Sequence, residues 1–206
     1  MELIIVRHAL PVRVENSDGT PADPKLDALG HRQAKAAAAW LADPAEGRID
    51  AVWTSPMQRA VQTAGPIATA LGLTPIVDAD LAEYDRHHHE YIPVEELRAA
   101  KDERWEALVR GEWEGGINPA DFHQQVIGVM ERIIAAHRGQ RVVVVCHGGV
   151  INAYTSAVLN MTPSPGFFYP QYTCINRFMA ASSGERMLKG LNETAHLRGK
   201  DLLPVP

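Results

Sequence analysis

Three short segments of this 206-residue chain hold most of the side chains whose types and spacing suggest chemistry. They are Val6-Arg7-His8-Ala9, the run Thr54-Ser55-Pro56-Met57-Gln58-Arg59-Ala60-Val61-Gln62-Thr63-Ala64, and Val145-Cys146-His147-Gly148-Gly149-Val150. Between them they supply two arginines, two histidines and a glycine-flanked helix start. Arginine presents a planar fork of donors that matches phosphate oxygens and stays charged at any working pH. Helix starts after Ser55 and at Gly148 add unpaired N–H groups aimed at an anion. The ligand these residue types imply is a phosphoryl group. Histidine is also a competent nucleophile, and an unperturbed pKa near 6.5 makes the neutral ring available around pH 7. Positive charge from Arg7 and Arg59 depresses that pKa further. Fixed cations around a transferring phosphoryl group supply on the order of 10²–10³-fold per donor, so the chemistry needs no metal and no cofactor.

Such residues work only if the chain brings them together, and the hydrophobic pattern indicates how it does so. Leu3 to Val6 is a short β-branched run that reads as a buried strand ending at Arg7-His8. Ala9 to Lys25 carries Pro11, Pro21, Pro24, Asp18 and Gly19 and reads as a loop. Asp27 is placed to cap a helix containing the alanine-rich stretch from Gln33 to Leu41. A second strand is expected over Asp50 to Thr54, and a helix opening at Ser55-Pro56 that Pro66 kinks or shortens. A long helix over Ala120 to Ala136, stopped near Gly139, precedes Val142 to Val145, the clearest strand in the chain. Cys174 to Ala180 and Arg186 to Leu191 form a hairpin around Ser182-Ser183-Gly184.

The expected fold is therefore α/β: three layers, with a mostly parallel central sheet between helices. Ligands in such sheets sit beyond the carboxyl ends of the strands, where all three motifs fall. The whole chain reads as one domain with a small helical cap inserted at about 84–118. That region is dense in charge, histidine and tryptophan, and Arg86, the histidines, Tyr91 and Trp105 are candidate substrate contacts.

Composition limits the partners. With 46% hydrophobic and 22% charged residues the chain is an ordinary globular one, and a net charge of −5 argues against nucleic-acid binding. Nothing resembles a membrane span or a signal peptide, and two cysteines, Cys146 and Cys174, make no disulfide framework, so a cytoplasmic location is expected. A small phosphorylated substrate fits this balance, and a homodimer is compatible with it. The run His87-His88-His89 invites a metal reading, but adjacent side chains of an extended segment point to opposite faces, so no metal site is expected there. The same alternation sets Cys146 away from His147 and into the core.

The motifs in this order resemble the histidine phosphatase superfamily, which includes the cofactor-dependent phosphoglycerate mutases. Leu29-Gly30-His31-Arg32-Gln33-Ala34 and Asn192-Glu193-Thr194-Ala195-His196-Leu197 are also similar to family sequence, so the resemblance spans nearly the whole chain. It implies that His8 is the phosphorylated nucleophile and that Arg7, Arg59 and His147 surround the phosphoryl group, with Gly148 at the helix start beside it. The family commonly places a glutamate after the third strand to protonate the leaving oxygen. Glu83 falls at that place, with Asp85 in reserve. Three departures stand out: Ala9 where glycine is usual, Val12 and Val14 where Ser, Thr or Asn often help hold phosphate, and Tyr84 to His89 in place of a glycine-containing segment. The last two weigh against a mutase. The expected activity is a metal-independent phosphomonoesterase. A phosphoglycerate mutase and a phosphate-binding module without turnover are the alternatives.

Overall fold

The structure, a computed structural model, describes residues 1–113, 117–162, 164 and 166–203, so 114–116 of the expected insertion lie outside the described residues. Its centre is a six-stranded sheet. The strands are β1 (Glu2–Arg7), β3 (Ala51–Thr54), β4 (Ile76–Val77), β6 (Arg141–Cys146), β7 (Ile175–Ala180) and β8 (Arg186–Glu193), in the order β4-β3-β6-β1-β7-β8. The first four in that order run parallel, and β7 and β8 close the sheet as an antiparallel hairpin.

Why the central strands read as unbroken apolar runs is visible in their two faces. Leu3, Ile5, Val142 and Val144 enter one core, against α5 (Pro119–Ala136) and α6 (Gly148–Val158). Ile4, Val6, Val143 and Val145 enter a second core, against α1 (Ala28–Leu41) and α2 (Gln58–Leu71). A strand buried on both faces has no polar side to show, and a three-layer α/β/α architecture results. Among the described residues no helix is long and apolar enough to cross a membrane.

Three local features differ from the sequence expectation. Helix α2 starts at Gln58, not at Ser55-Pro56. The Ser55 hydroxyl accepts the Met57 N–H while also serving His147, and Met57 keeps extended backbone. The first turn is capped instead from a distant loop: Asp23 Oδ1 accepts the Gln58 N–H at 2.8 Å. Pro66 does not end the helix, which continues to Leu71 and stops at Gly72, where φ is +68°. In the 9–25 loop, Val14–Glu15 forms a two-residue strand (β2) paired with Glu90–Tyr91 (β5), joining the segment after His8 to the region after Glu83. That region also carries two short helices, α3 (Val94–Ala100) and α4 (Glu103–Val109).

Candidate active site

The parallel ladders carry the three motifs to one edge of the sheet. The His8 N–H bonds Cys146 O at 2.8 Å and the Ser55 N–H bonds Val145 O at 3.0 Å, so pairing continues one residue past β1 and β3 into the motifs themselves. Arg7, His8, Arg59, Glu83, Gly148 and Gly149 line the floor of one cavity of about 560 Å³.

His8 is 2% exposed, and its Nδ1 lies 2.8 Å from Ala9 O. A carbonyl can only accept, so Nδ1 carries the proton and Nε2 keeps its lone pair. Burial, then Arg59 and Arg7, hold the ring's pKa well below its ordinary value, so the nucleophilic form prevails at neutral pH. The backbone behind it is pinned twice. Thr63 Oγ1 accepts the Ala9 N–H at 2.9 Å and donates to Arg59 O at 2.7 Å. Gln33 Oε1 accepts the Leu10 N–H at 2.9 Å, and Gly30 lies so close to Leu10 O that a Cβ would collide with it. These contacts explain the Gly30 and Gln33 positions of the 29–34 motif.

Both arginines are buried, and among the described residues Nε of Arg7 and Nη1 of Arg59 have no hydrogen-bond partner. Arg7 Nη1 donates to Pro170 O at 2.6 Å, and its guanidinium lies 4.2 Å from the Tyr172 ring centroid. The Tyr172 and Tyr169 hydroxyls both donate to Glu95 of α3. Arg59 pairs with Asp85 at 2.9 Å and lies 4.6 Å from the Tyr91 ring centroid. Its Nε–H donates to His147 Nδ1 at 3.3 Å. Because an arginine has no acceptor, His147 carries its proton on Nε2 and gives it to Ser55 Oγ at 2.7 Å. The His147 ring lies 5.1 Å from that of His8, and burial, Arg59, His8 and Arg7 together lower its pKa. Two buried donors left open beside a neutral imidazole form a cradle for an anion, since an unpaired buried donor costs about 1–3 kcal/mol.

Glu83 is the one acid on the floor with a raised pKa, pushed to about 7 by burial and by Asp85. Its Oε2 accepts the Gly149 N–H at 2.7 Å and its Oε1 accepts the Tyr84 N–H at 3.2 Å. Gly149 is required for this approach, because a Cβ there would run into Glu83 Oε1 and the Tyr84 ring. At Gly148 a Cβ would lie 3.7 Å from Arg7 Nε, which places the start of α6 beside the open donor.

Not every expected contact reaches the cavity. His88 and Tyr91 line it, but Arg86, His87, His89 and Trp105 do not. Arg86 and His87 are exposed and bond each other at 3.1 Å. Arg104, Ala107 and Leu108, spaced at i, i+3 and i+4, face the cavity and turn Trp105 to another side of α4. Asp85, the reserve acid, is the ion partner of Arg59. Among the described residues no three His, Cys, Asp or Glu side chains converge as a metal-ligand set. Cys146 is buried with a pKa raised by burial and by Glu83, which disfavours a thiolate. The sequence reading missed Tyr169, Tyr172 and Glu95, which lie outside the quoted motifs. Ser55 and Thr63 stood inside one of them with no role assigned.

The model of the histidine phosphatase superfamily (branch 1) matches residues 3–194 of this chain. Phosphoserine phosphatase 1 of Hydrogenobacter thermophilus is 29% identical over 208 residues, covering 96% of this chain and 94% of that protein. Phosphoglycerate mutase-like protein 4 of Arabidopsis thaliana is 29% identical over 159 residues, 74% of this chain and 68% of its own. Among solved structures, a phosphoserine phosphatase of Entamoeba histolytica in complex with phosphoserine aligns with a TM-score of 0.74 at 23% identity, over 95% of this chain and 98% of the other. A mycobacterial glucosyl-3-phosphoglycerate phosphatase with inorganic phosphate gives 0.72 at 22% identity, over 95% and 98%. At these identities the two structures speak to the fold.

Proposed function

This chain belongs to the histidine phosphatase superfamily (branch 1), and from that premise we propose that it hydrolyses a small phosphomonoester through a phosphohistidine on His8. The observation that carries this reading is the pair of open buried donors, Arg7 Nε and Arg59 Nη1, in the same cavity as a histidine whose Nε2 is unprotonated. A dianionic phosphoryl group satisfies both donors and meets the lone pair.

In the first step His8 Nε2 attacks phosphorus, the P–O bond to the alcohol breaks, and the Glu83 carboxyl gives its proton to the departing oxygen. A carboxyl with a pKa of about 7 is still substantially protonated at neutral pH, as this step requires. In the second step water attacks phosphorus, its proton passes to the Glu83 carboxylate, and the N–P bond breaks. His8 and Glu83 return to their starting forms, and the products are the alcohol and inorganic phosphate. Arg7, Arg59 and the start of α6 at Gly148 hold charge on the transferring group throughout. His147 is fully buried behind the cavity, not in its lining, and keeps the Arg59 fork aimed. The segment of about 84–118 acts as the cap that shapes the space for the alcohol.

Hydrolysis of p-nitrophenyl phosphate in the presence of a chelator, beside His8→Ala, tests the reading. Turnover that survives chelation and disappears in the variant supports it. Turnover lost to chelator sinks it. If neither protein hydrolyses the ester but the parent isomerises phosphoglycerate with a bisphosphorylated primer, the chain is a mutase.

A further inference from the structure

The cavity is far larger than a phosphoryl group needs. At about 560 Å³ it falls within the range of about 300–1,000 Å³ that takes ligands of drug or nucleotide size. Its floor and its upper walls differ in chemistry. Above the cationic floor, Tyr84, Trp113, Leu97, Leu108 and Phe168 present aromatic and aliphatic surface. The Trp113 ring is held edge-on by Tyr84 at 5.5 Å and by Phe122 at 5.8 Å, so the aromatic wall is braced before any ligand arrives.

The charges of the upper wall are already used. Arg104 bonds Asp102 at 2.8 Å and Glu90 at 2.8 Å. Arg110 bonds Glu112 at 2.7 Å, with Glu106 at 3.9 Å. Both arginines of this wall are thus matched by two carboxylates each, and Glu103 adds a further negative charge to the lining. A second carboxylate or phosphate on the substrate would meet carboxylates or have to break an existing ion pair. An uncharged or cationic ring would meet Trp113 and Tyr84 and disturb none of these pairs.

Resting on the phosphatase reading above, we infer that the preferred substrate is a monophosphate whose alcohol carries a flat aromatic or heteroaromatic ring and no second anionic group, as a nucleoside 5′-monophosphate does. Small esters with a further acid, such as phosphoserine or 3-phosphoglycerate, are then poor substrates.

The test is a kcat/KM comparison on the full chain with a nucleoside 5′-monophosphate, ethyl phosphate, phosphoserine and 3-phosphoglycerate. The expected result is a preference of at least about 10-fold for the aromatic ester over each of the other three, the size of one good aromatic contact. Trp113→Ala lowers the ratio of aromatic to ethyl ester by about 10-fold. Glu112→Gln, a surface change that keeps the fold, raises the ratio of 3-phosphoglycerate to ethyl phosphate several-fold by releasing Arg110. Phosphoserine or 3-phosphoglycerate turned over best, or ratios unmoved by both variants, overturns the inference and leaves the phosphatase standing. No turnover of any of the four esters overturns the inference, and it overturns the phosphatase reading as well only where p-nitrophenyl phosphate is not hydrolysed either.

Discussion

The floor of the cavity takes its residues from the ends of parallel strands and from the segments and helix starts that follow them, whereas its outer wall draws on α3, α4 and the residues up to Trp113. The two are held by different forces. His8 and His147 continue β1 and β6, whose neighbours Leu3 to Val6 and Val142 to Val145 are wholly buried, so moving either histidine means breaking a two-sided core. Helices α3 and α4 contain no fully buried residue and are seven residues each, too short to be stable without tertiary contacts. Their charged side chains form partly exposed ion pairs that solvent and salt screen. The floor is therefore anchored and the outer wall is loosely attached. One strong tie joins them: Glu95 on α3 accepts from both tyrosines that pack against Arg7.

If floor and wall are separable in this way, variants should sort by region. The largest effect is expected at His8, where His8→Ala lowers kcat by at least about 10³-fold and abolishes acid-labile phosphoenzyme, which radiolabelled substrate and rapid quenching would reveal. Arg59→Lys keeps the charge but loses the fork, and a loss of about 10²-fold in kcat/KM is expected. A variant within twofold of the parent would show that Arg59 only balances Asp85.

Glu83→Gln gives a sharper test, because its effect depends on the leaving group. Hydrolysis of an alkyl ester should fall by about 10²-fold in the phosphorylation step. Phosphorylation by p-nitrophenyl phosphate, whose phenolate leaves without help, should barely change. In the parent the same step with an alkyl ester should decline as pH rises through about 7, where Glu83 loses its proton. The low pKa of His8 moves the acid limb well below 6.5. The stability sign follows from linkage. A carboxyl whose folded pKa is raised stabilises the fold below about pH 4.5 relative to higher pH, and that contribution is lost between 4.5 and about 7. Glu83→Gln should therefore melt higher than the parent at pH 8, and a lower melting temperature there would contradict the assigned burial cost.

Gly149→Ala pushes a methyl group into Glu83 and Tyr84, and a destabilisation of about 1–3 kcal/mol by urea titration is expected. The smallest change belongs to the tie between the regions. Glu95→Gln should raise KM a few-fold and leave the melting temperature near that of the parent. A large fall in kcat at unchanged KM would mean that α3 helps to set Arg7 and that floor and wall are one unit.

How much of this was legible beforehand differs between the same two regions. The strands over Leu3 to Val6 and Val142 to Val145 could be read because burial on both faces leaves an unbroken β-branched run. Their ends then located His8 and His147, and the strand expected over Asp50 to Thr54 located the segment that carries Arg59. Glu83 could be placed only by resemblance, since one glutamate in a charged stretch carries no periodic signal. Its contact with Gly149 joins the segment after the 79–81 turn to the start of α6, 66 residues further on. The start of α2 was misread because its capping acceptor, Asp23, lies 35 residues away in sequence.

By itself, then, the sequence determined the alternation of elements and the phosphate-seeking character of the site, because both rest on local chemistry: hydrophobic period, capping, and the donor geometry of arginine and histidine. Only the tertiary structure decided which histidine nitrogen is free, which guanidinium N–H groups are unpaired, how far burial lifts Glu83, and which side of α4 faces the cavity. Those properties belong to pairs of groups distant in the chain, and no local pattern of residue types encodes the distance between them.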